Sequence, residues 1–188
     1  MNHKYKKYLN KKSVHNQWSP YTSPKEKIYD FIITIPSYGE YEYLFKTLDS
    51  INNQDEELLK KSLVSIAINN SDKENNTIVN NNQRTYEKLL KCKYKYDMLT
   101  IDAFSNNNAL NKKEAGVGLA RKISVDVTLK YSHPNSIICF IDADTKLSEN
   151  YLGTIQSSYI NNLWDSATVN FEHSKDEPKT INFIKDYE

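Results

Sequence analysis

The sequence predicts an α/β fold: an open, mostly parallel sheet with helices on both faces. Three observations predict it. Short apolar runs rich in β-branched residues recur at 29–35, 63–68, 96–101 and 137–141. Stretches of helical periodicity alternate with them, and strands alternating with helices pair in parallel through crossovers. The residues just beyond three of the runs are an aromatic, amides and paired carboxylates, as expected where a ligand meets the carboxyl ends of a sheet.

Residues 1–27 carry lysine clusters, Trp18, Pro20 and Pro24 without sustained periodicity. They read as an arm or linker, a floppy solvated tail. A basic, aromatic arm is also suited to peripheral contact with an anionic membrane surface. Residues 28–188 read as one domain. Tyr29-Asp30-Phe31-Ile32-Ile33-Thr34-Ile35 is the pattern of a strand buried on both faces, with Pro36 ending it. A helix from Glu40 carries Leu44, Leu48 and Ile51 at helical spacing. A second strand covers 63–68, and the Asn-, Ser- and Asp-dense stretch 69–82 reads as loop. A short helix at 85–91, a third strand at 96–101 and a polar loop at 105–114 follow. The next helix starts near Gly116 with Leu119, Ile123 and Val127 on one face. The fourth strand is 137–141. Ser148 is expected to cap a helix running to about 160, and 167–171 is expected to be a fifth strand. No internal repeat is present.

Composition narrows the function. A chain of 188 residues suits one domain with a sizeable core. Lys+Arg 25 against Asp+Glu 24 leaves a net charge of +1, so no global field points to nucleic acid. Cys139 sits in an apolar run and Cys92 among lysines. Neither supports a disulfide framework or a zinc site, which points to a reducing cytoplasm. No apolar run approaches the length of a membrane span, and the N-terminus lacks the apolar segment of a secretory signal.

Four clusters carry chemistry. Asp142-Ala143-Asp144 directly follows the fourth apolar run, and strand alternation points both carboxylates the same way. Paired carboxylates without Cys or His suit a hard divalent cation, Mn or Mg, which keeps waters and binds phosphates. The bland alternative is a capped turn beside a solvated strand end. Pro36-Ser37-Tyr38-Gly39-Glu40 gives a rigid turn and an aromatic able to stack on a base. Read alone, it is an ordinary turn before a helix. Asn69 and Asn70 offer donors and acceptors for a base edge, or simply form a polar turn. Around Gly116 and Gly118, a helix start flanked by Lys113 and Arg121 makes an anion site. That stretch departs from a dinucleotide fingerprint, because it does not follow a strand directly and Arg121 stands where the third glycine belongs.

Taken in order, these motifs resemble the family 2 glycosyltransferases of the GT-A fold. The resemblance runs from about residue 29 to about 155. It rests on Ile35-Pro36-Ser37-Tyr38-Gly39-Glu40, Asn69-Asn70-Ser71, Gly118-Leu119-Ala120-Arg121-Lys122 and Phe140-Ile141-Asp142-Ala143-Asp144. It implies metal-dependent transfer of a sugar from a nucleotide-diphosphate donor to a glycan or lipid acceptor. Under it, Pro36, Tyr38, Glu40, Asn69 and Asn70 lie at the nucleotide and Lys113 and Arg121 at the diphosphate. Asp142 is shared by ribose and metal, and Asp144 ligates the metal. Family members place the catalytic base and acceptor pocket after the Asp-x-Asp half. Glu172, His173, Asp176 and Glu177 do not match that later motif. The expectation is therefore a donor domain short of its acceptor half, cytoplasmic and in reach of the inner membrane face through its basic arm.

The competing readings are a donor-binding fragment that needs another chain for catalysis, and a phosphatase of the haloacid dehalogenase kind. The latter family sets its Thr two residues after the second Asp, whereas Thr145 follows Asp144 immediately. A nucleotidyltransferase would open with a Gly-rich basic loop, which Pro36-Ser37-Tyr38-Gly39-Glu40 is not.

Overall fold

The computed structural model describes residues 3–18, 20–21, 24, 27–162 and 164–172. Four strands form one sheet: β1 (Tyr29–Ser37), β2 (Ser62–Asn69), β3 (Asp97–Ala103) and β4 (Ser132–Phe140). Their order is β3-β2-β1-β4, and every pair is parallel. The chain thus builds outward from β1 through β2 to β3, then returns to the other side of β1. β1 and β2 lie centrally and are buried along almost their whole length. That is why they read as continuous apolar runs rather than alternating ones.

The helices are α1 (His3–Lys11), α2 (Tyr41–Asn52), α3 (Glu56–Leu59), α4 (Asn76–Leu89), α5 (Val117–Thr128) and α6 (Tyr151–Asn162). A single 3-10 turn, Leu129–Tyr131, links α5 to β4. One core cluster gathers Ile32, Leu63, Ala67, Leu99 and Ile101 of the sheet with Ala120, Ile123 and Val127 of α5. By strand alternation Phe31, Ile33, Ile35, Val64, Ile66 and Ile68 belong to the other face, and they are equally buried. On that side α4 packs against β2 and α2.

Several expectations change. Pro36 lies inside β1, opposite Ala67. The β4 ladder has already ended at Thr34, so only β2 still runs beside Pro36. Of the stretch 69–82, Asn69 ends β2 and only 70–75 is loop; the Asn75 side chain accepts the Ile78 N–H and starts α4 nine residues before the expected helix. Burial of Asn82, Thr85 and Leu89 against the domain outweighs the poor helix propensity of the asparagines. At α6, Ser148 is not the cap: the helix starts at Tyr151 and the Ser148 carbonyl accepts the Tyr151 N–H.

The segment expected to be a floppy tail is docked. Val14 and Trp18 pack on the α5 core cluster. Tyr8 Oη donates to Asp126 at 2.7 Å, and the Val14 N–H donates to its other oxygen at 2.9 Å. Pro20 makes an antiparallel bridge to Ile101, and the Tyr21 N–H donates to the Thr100 carbonyl at 3.0 Å. The arm thereby covers the free edge of β3.

Residues 1–154 form one compact unit and 155–188 a second. Within the second, Trp164 Nε1 donates to Ser158 Oγ at 3.1 Å and its ring meets Tyr159 edge-on. The expected strand at 167–171 is not formed. Those residues are exposed and form no ladder with any described strand. His173, Asp176 and Glu177 lie outside the described residues.

Candidate functional site

The strand order reverses between β1 and β4, and in such sheets the crevice beyond the carboxyl ends of the two strands receives ligands. Two segments meet there. One is the turn from Ser37 to Glu40 after β1; the other is Asp142-Ala143-Asp144 after β4. The Ile141 N–H donates to the Thr34 carbonyl at 3.1 Å, which fixes their register. Ala143 is buried, and its carbonyl accepts Thr47 Oγ1 at 2.7 Å. With Ala143 pinned to α2, the flanking Asp142 and Asp144 are both exposed.

The turn after β1 is shaped by Gly39, whose φ of 69° lies in the left-handed region. A Cβ there would also stand 2.8 Å from the terminal methyl of Ile78, which would have to shift, but it is the φ that favours glycine. The Tyr38 N–H donates to Glu40 Oε2 at 3.1 Å, and Tyr38 Oη donates to Glu74 at 2.8 Å. Tyr38 is 46% exposed, with its ring held at the hydroxyl end. Burial pushes the Glu40 carboxyl up; the Tyr38 N–H opposes this, and Asp144 and Asp142 push it further up. Three carboxylates thus share one field at the strand ends.

Arg121 of α5 donates to Asp142 and forms an ion pair with it. Arg121 Nε is buried, as is Ser37 Oγ, and neither has a hydrogen-bond partner among the described residues. Such orphans cost about 1–3 kcal/mol each, and both belong to residues of this crevice. The first turn of α5 has no side-chain cap. A Cβ on Gly116 or Gly118 would meet nothing within 4 Å, so the approach to its first amides is open. Gly116 itself is extended, with φ 163°, a conformation any residue adopts.

Other expected site residues lie differently. Asn69 and Asn70 are 4% and 2% exposed. Asn69 Nδ2 donates to the Ser37 and Ala67 carbonyls, and Asn70 Nδ2 to those of Ser71 and Phe104. Their amides brace the strand ends from within instead of facing a ligand. The residue that organises them is Asn82, which the sequence pattern places in a loop. Its Nδ2 donates to the Asn69 carbonyl and to Asn70 Oδ1, and its Oδ1 accepts the Gly39 N–H at 2.9 Å. Lys113 is exposed on the turn before α5, its N–H bonded to Asn111. The neighbouring Lys112 is the one whose charge reaches Glu74. The Tyr38 hydroxyl is the first cause holding the Glu74 carboxyl below its usual value, and Lys112 adds to it.

The donor set fits a divalent ion of one kind. Among the described residues no group of three or more His, Cys, Asp or Glu converges. A closed structural cage is therefore not formed by them. Two exposed carboxylates on one strand end suit Mg or Mn that keeps its waters and completes its shell with phosphate oxygens.

No protein-family model matches the chain, and no curated protein matches it. Solved structures do. The crystal structure of S. aureus TarS 1-349 in complex with UDP aligns over 78% of this chain and 40% of that one, with 15% identity and a TM-score of 0.50. Its complex with UDP-GlcNAc aligns over 78% and 38%, with 14% identity and a TM-score of 0.50. What the two proteins share is the fold. The chain has the Rossmann-like α/β architecture of TarS 1-349 and spans about 40% of its length.

Proposed function

We propose that this chain is the donor-binding part of a metal-dependent glycosyltransferase of family 2 type, taking a nucleotide-diphosphate sugar and a glycan or lipid acceptor. One observation carries the reading. The switch-point crevice joins Asp142, Asp144 and Arg121 to a rigid turn bearing an exposed aromatic. The fold supports it, since TarS 1-349 was crystallised with UDP and with UDP-GlcNAc.

In this reading Tyr38 offers its ring face to the base, and Glu74 fixes the ring. Asp142 and Asp144 would hold Mg or Mn. When bound, that ion supplies positive charge to offset what develops on the leaving diphosphate. Arg121 exchanges part of its bond to Asp142 for a diphosphate oxygen, and the open start of α5 presents backbone N–H groups to the same anion.

Calorimetric titration with UDP, GDP and other nucleoside diphosphates, with and without Mn, is the test. Metal-dependent binding of one of them is expected, and Asp144→Ala should weaken it by at least about tenfold, roughly 1.4 kcal/mol. Unchanged Mn-dependent binding by Asp144→Ala would remove that residue from the metal site. No binding of any diphosphate under any condition would overturn the reading itself.

A further inference from the structure

Charge is segregated along this chain. Residues 1–27 hold seven lysines and one acid, a net +6. The remaining 18 Lys/Arg and 23 Asp/Glu give −5. Were the arm simply an electrostatic strap, its lysines would pair with the acidic body. In α1 they do not. Lys6, Lys7, Asn10 and Lys11 are exposed and line one shallow depression. None of these lysines, nor the exposed Lys12 after them, makes an ion pair among the described residues.

The opposite side of the same helix is locked down. Tyr8 Oη donates to the buried Asp126, and Lys122 Nζ donates to both, at 3.0 Å and 2.6 Å. The basic face is therefore held in one orientation on a folded domain. We propose that this outward face of α1 docks the protein on an anionic lipid bilayer. Lysine chemistry favours a bilayer over a discrete phosphate site. Lysine is a hydrated point charge that suits a diffuse anionic surface, whereas bidentate phosphate recognition calls for arginine. The chain's two arginines, Arg84 and Arg121, are both outside the arm. Three lysines clustered at a surface add attraction roughly additively, and salt screens it. The inference does not depend on the donor site, and its test uses no nucleotide.

Co-sedimentation of the full chain with phosphatidylcholine vesicles, with and without phosphatidylglycerol, tests it. Binding is expected only to the anionic vesicles, and should be lost at about 0.5 M salt. The triple variant Lys6→Gln, Lys7→Gln, Lys11→Gln should lower partition on the order of 100-fold, with an unchanged melting temperature. The matching triple arginine variant should keep binding. Equal binding to neutral vesicles, no binding to anionic ones, or wild-type partition by the glutamine variant would overturn the proposal. So would tighter binding to duplex DNA than to the anionic vesicles, which would make nucleic acid the partner.

Discussion

Asn82 shows how much one side chain can hold together. It is fully buried, and its amide reaches the turn after β1 and both asparagines after β2. Asn82→Ala leaves the half-buried Gly39 N–H and two buried acceptors short of a partner. The expected loss is about 2–3 kcal/mol in urea unfolding, with a looser Gly39 turn. Glu40 carries a pH signature. Its folded carboxyl lies above the ordinary value, because of burial first and Asp144 and Asp142 next. The fold therefore favours the protonated form. The ionised group costs nothing below its unfolded pKa, and its cost grows as pH rises through the folded value. Glu40→Gln is thus expected to melt higher than wild type at pH 7, with the gap shrinking toward pH 4. Thermal melts across that range check it, and a gap independent of pH would contradict the assigned cause.

At the scale of elements, the arm and α5 act as one piece. Asp126 is 2% exposed and takes bonds from Tyr8, Val14 and Lys122. Burial alone would depress the Lys122 ammonium, but Asp126 and Tyr8 overcome that and hold it above its usual value. Asp126→Ala should cost about 3 kcal/mol, and limited proteolysis should then cut first within residues 1–27. The sequence made the four strands and α5 legible, because each carries its own apolar pattern. It hid the arm's docking, because the clasp joins Tyr8 to a partner 118 residues away. Likewise Asn69 and Asn70 look like ligand-readers in sequence, since an amide facing inward and one facing outward are written identically. The early start of α4 was masked by asparagines whose propensity argues for loop, while Asn75 supplies the cap. That the Asp-x-Asp pair and the turn after β1 would lie at one edge of the sheet was legible, because both sit directly on strand ends.

For the molecule as a whole, the parallel topology ties every strand pair to a distant partner, so folding should be slow for its size. The two edges of the sheet are treated unequally. The arm covers β3, while β4 pairs only with β1 among the described residues. The first half of β4 is thrown out of register around His133 to Ser136, where Pro134 also withholds a donor. Its second half with the next residue, Ser136 to Ile141, is a six-residue uncharged, proline-free segment that includes Phe140, 55% exposed. Such a stretch, wherever its outer side stays unpaired, is a seed for stacking chain on chain. Asp142 and Asp144 come directly after it. Charges that directly follow such a stretch disfavour edge-to-edge pairing of copies. Asp142→Asn combined with Asp144→Asn is therefore expected to lower colloidal solubility, read by light scattering.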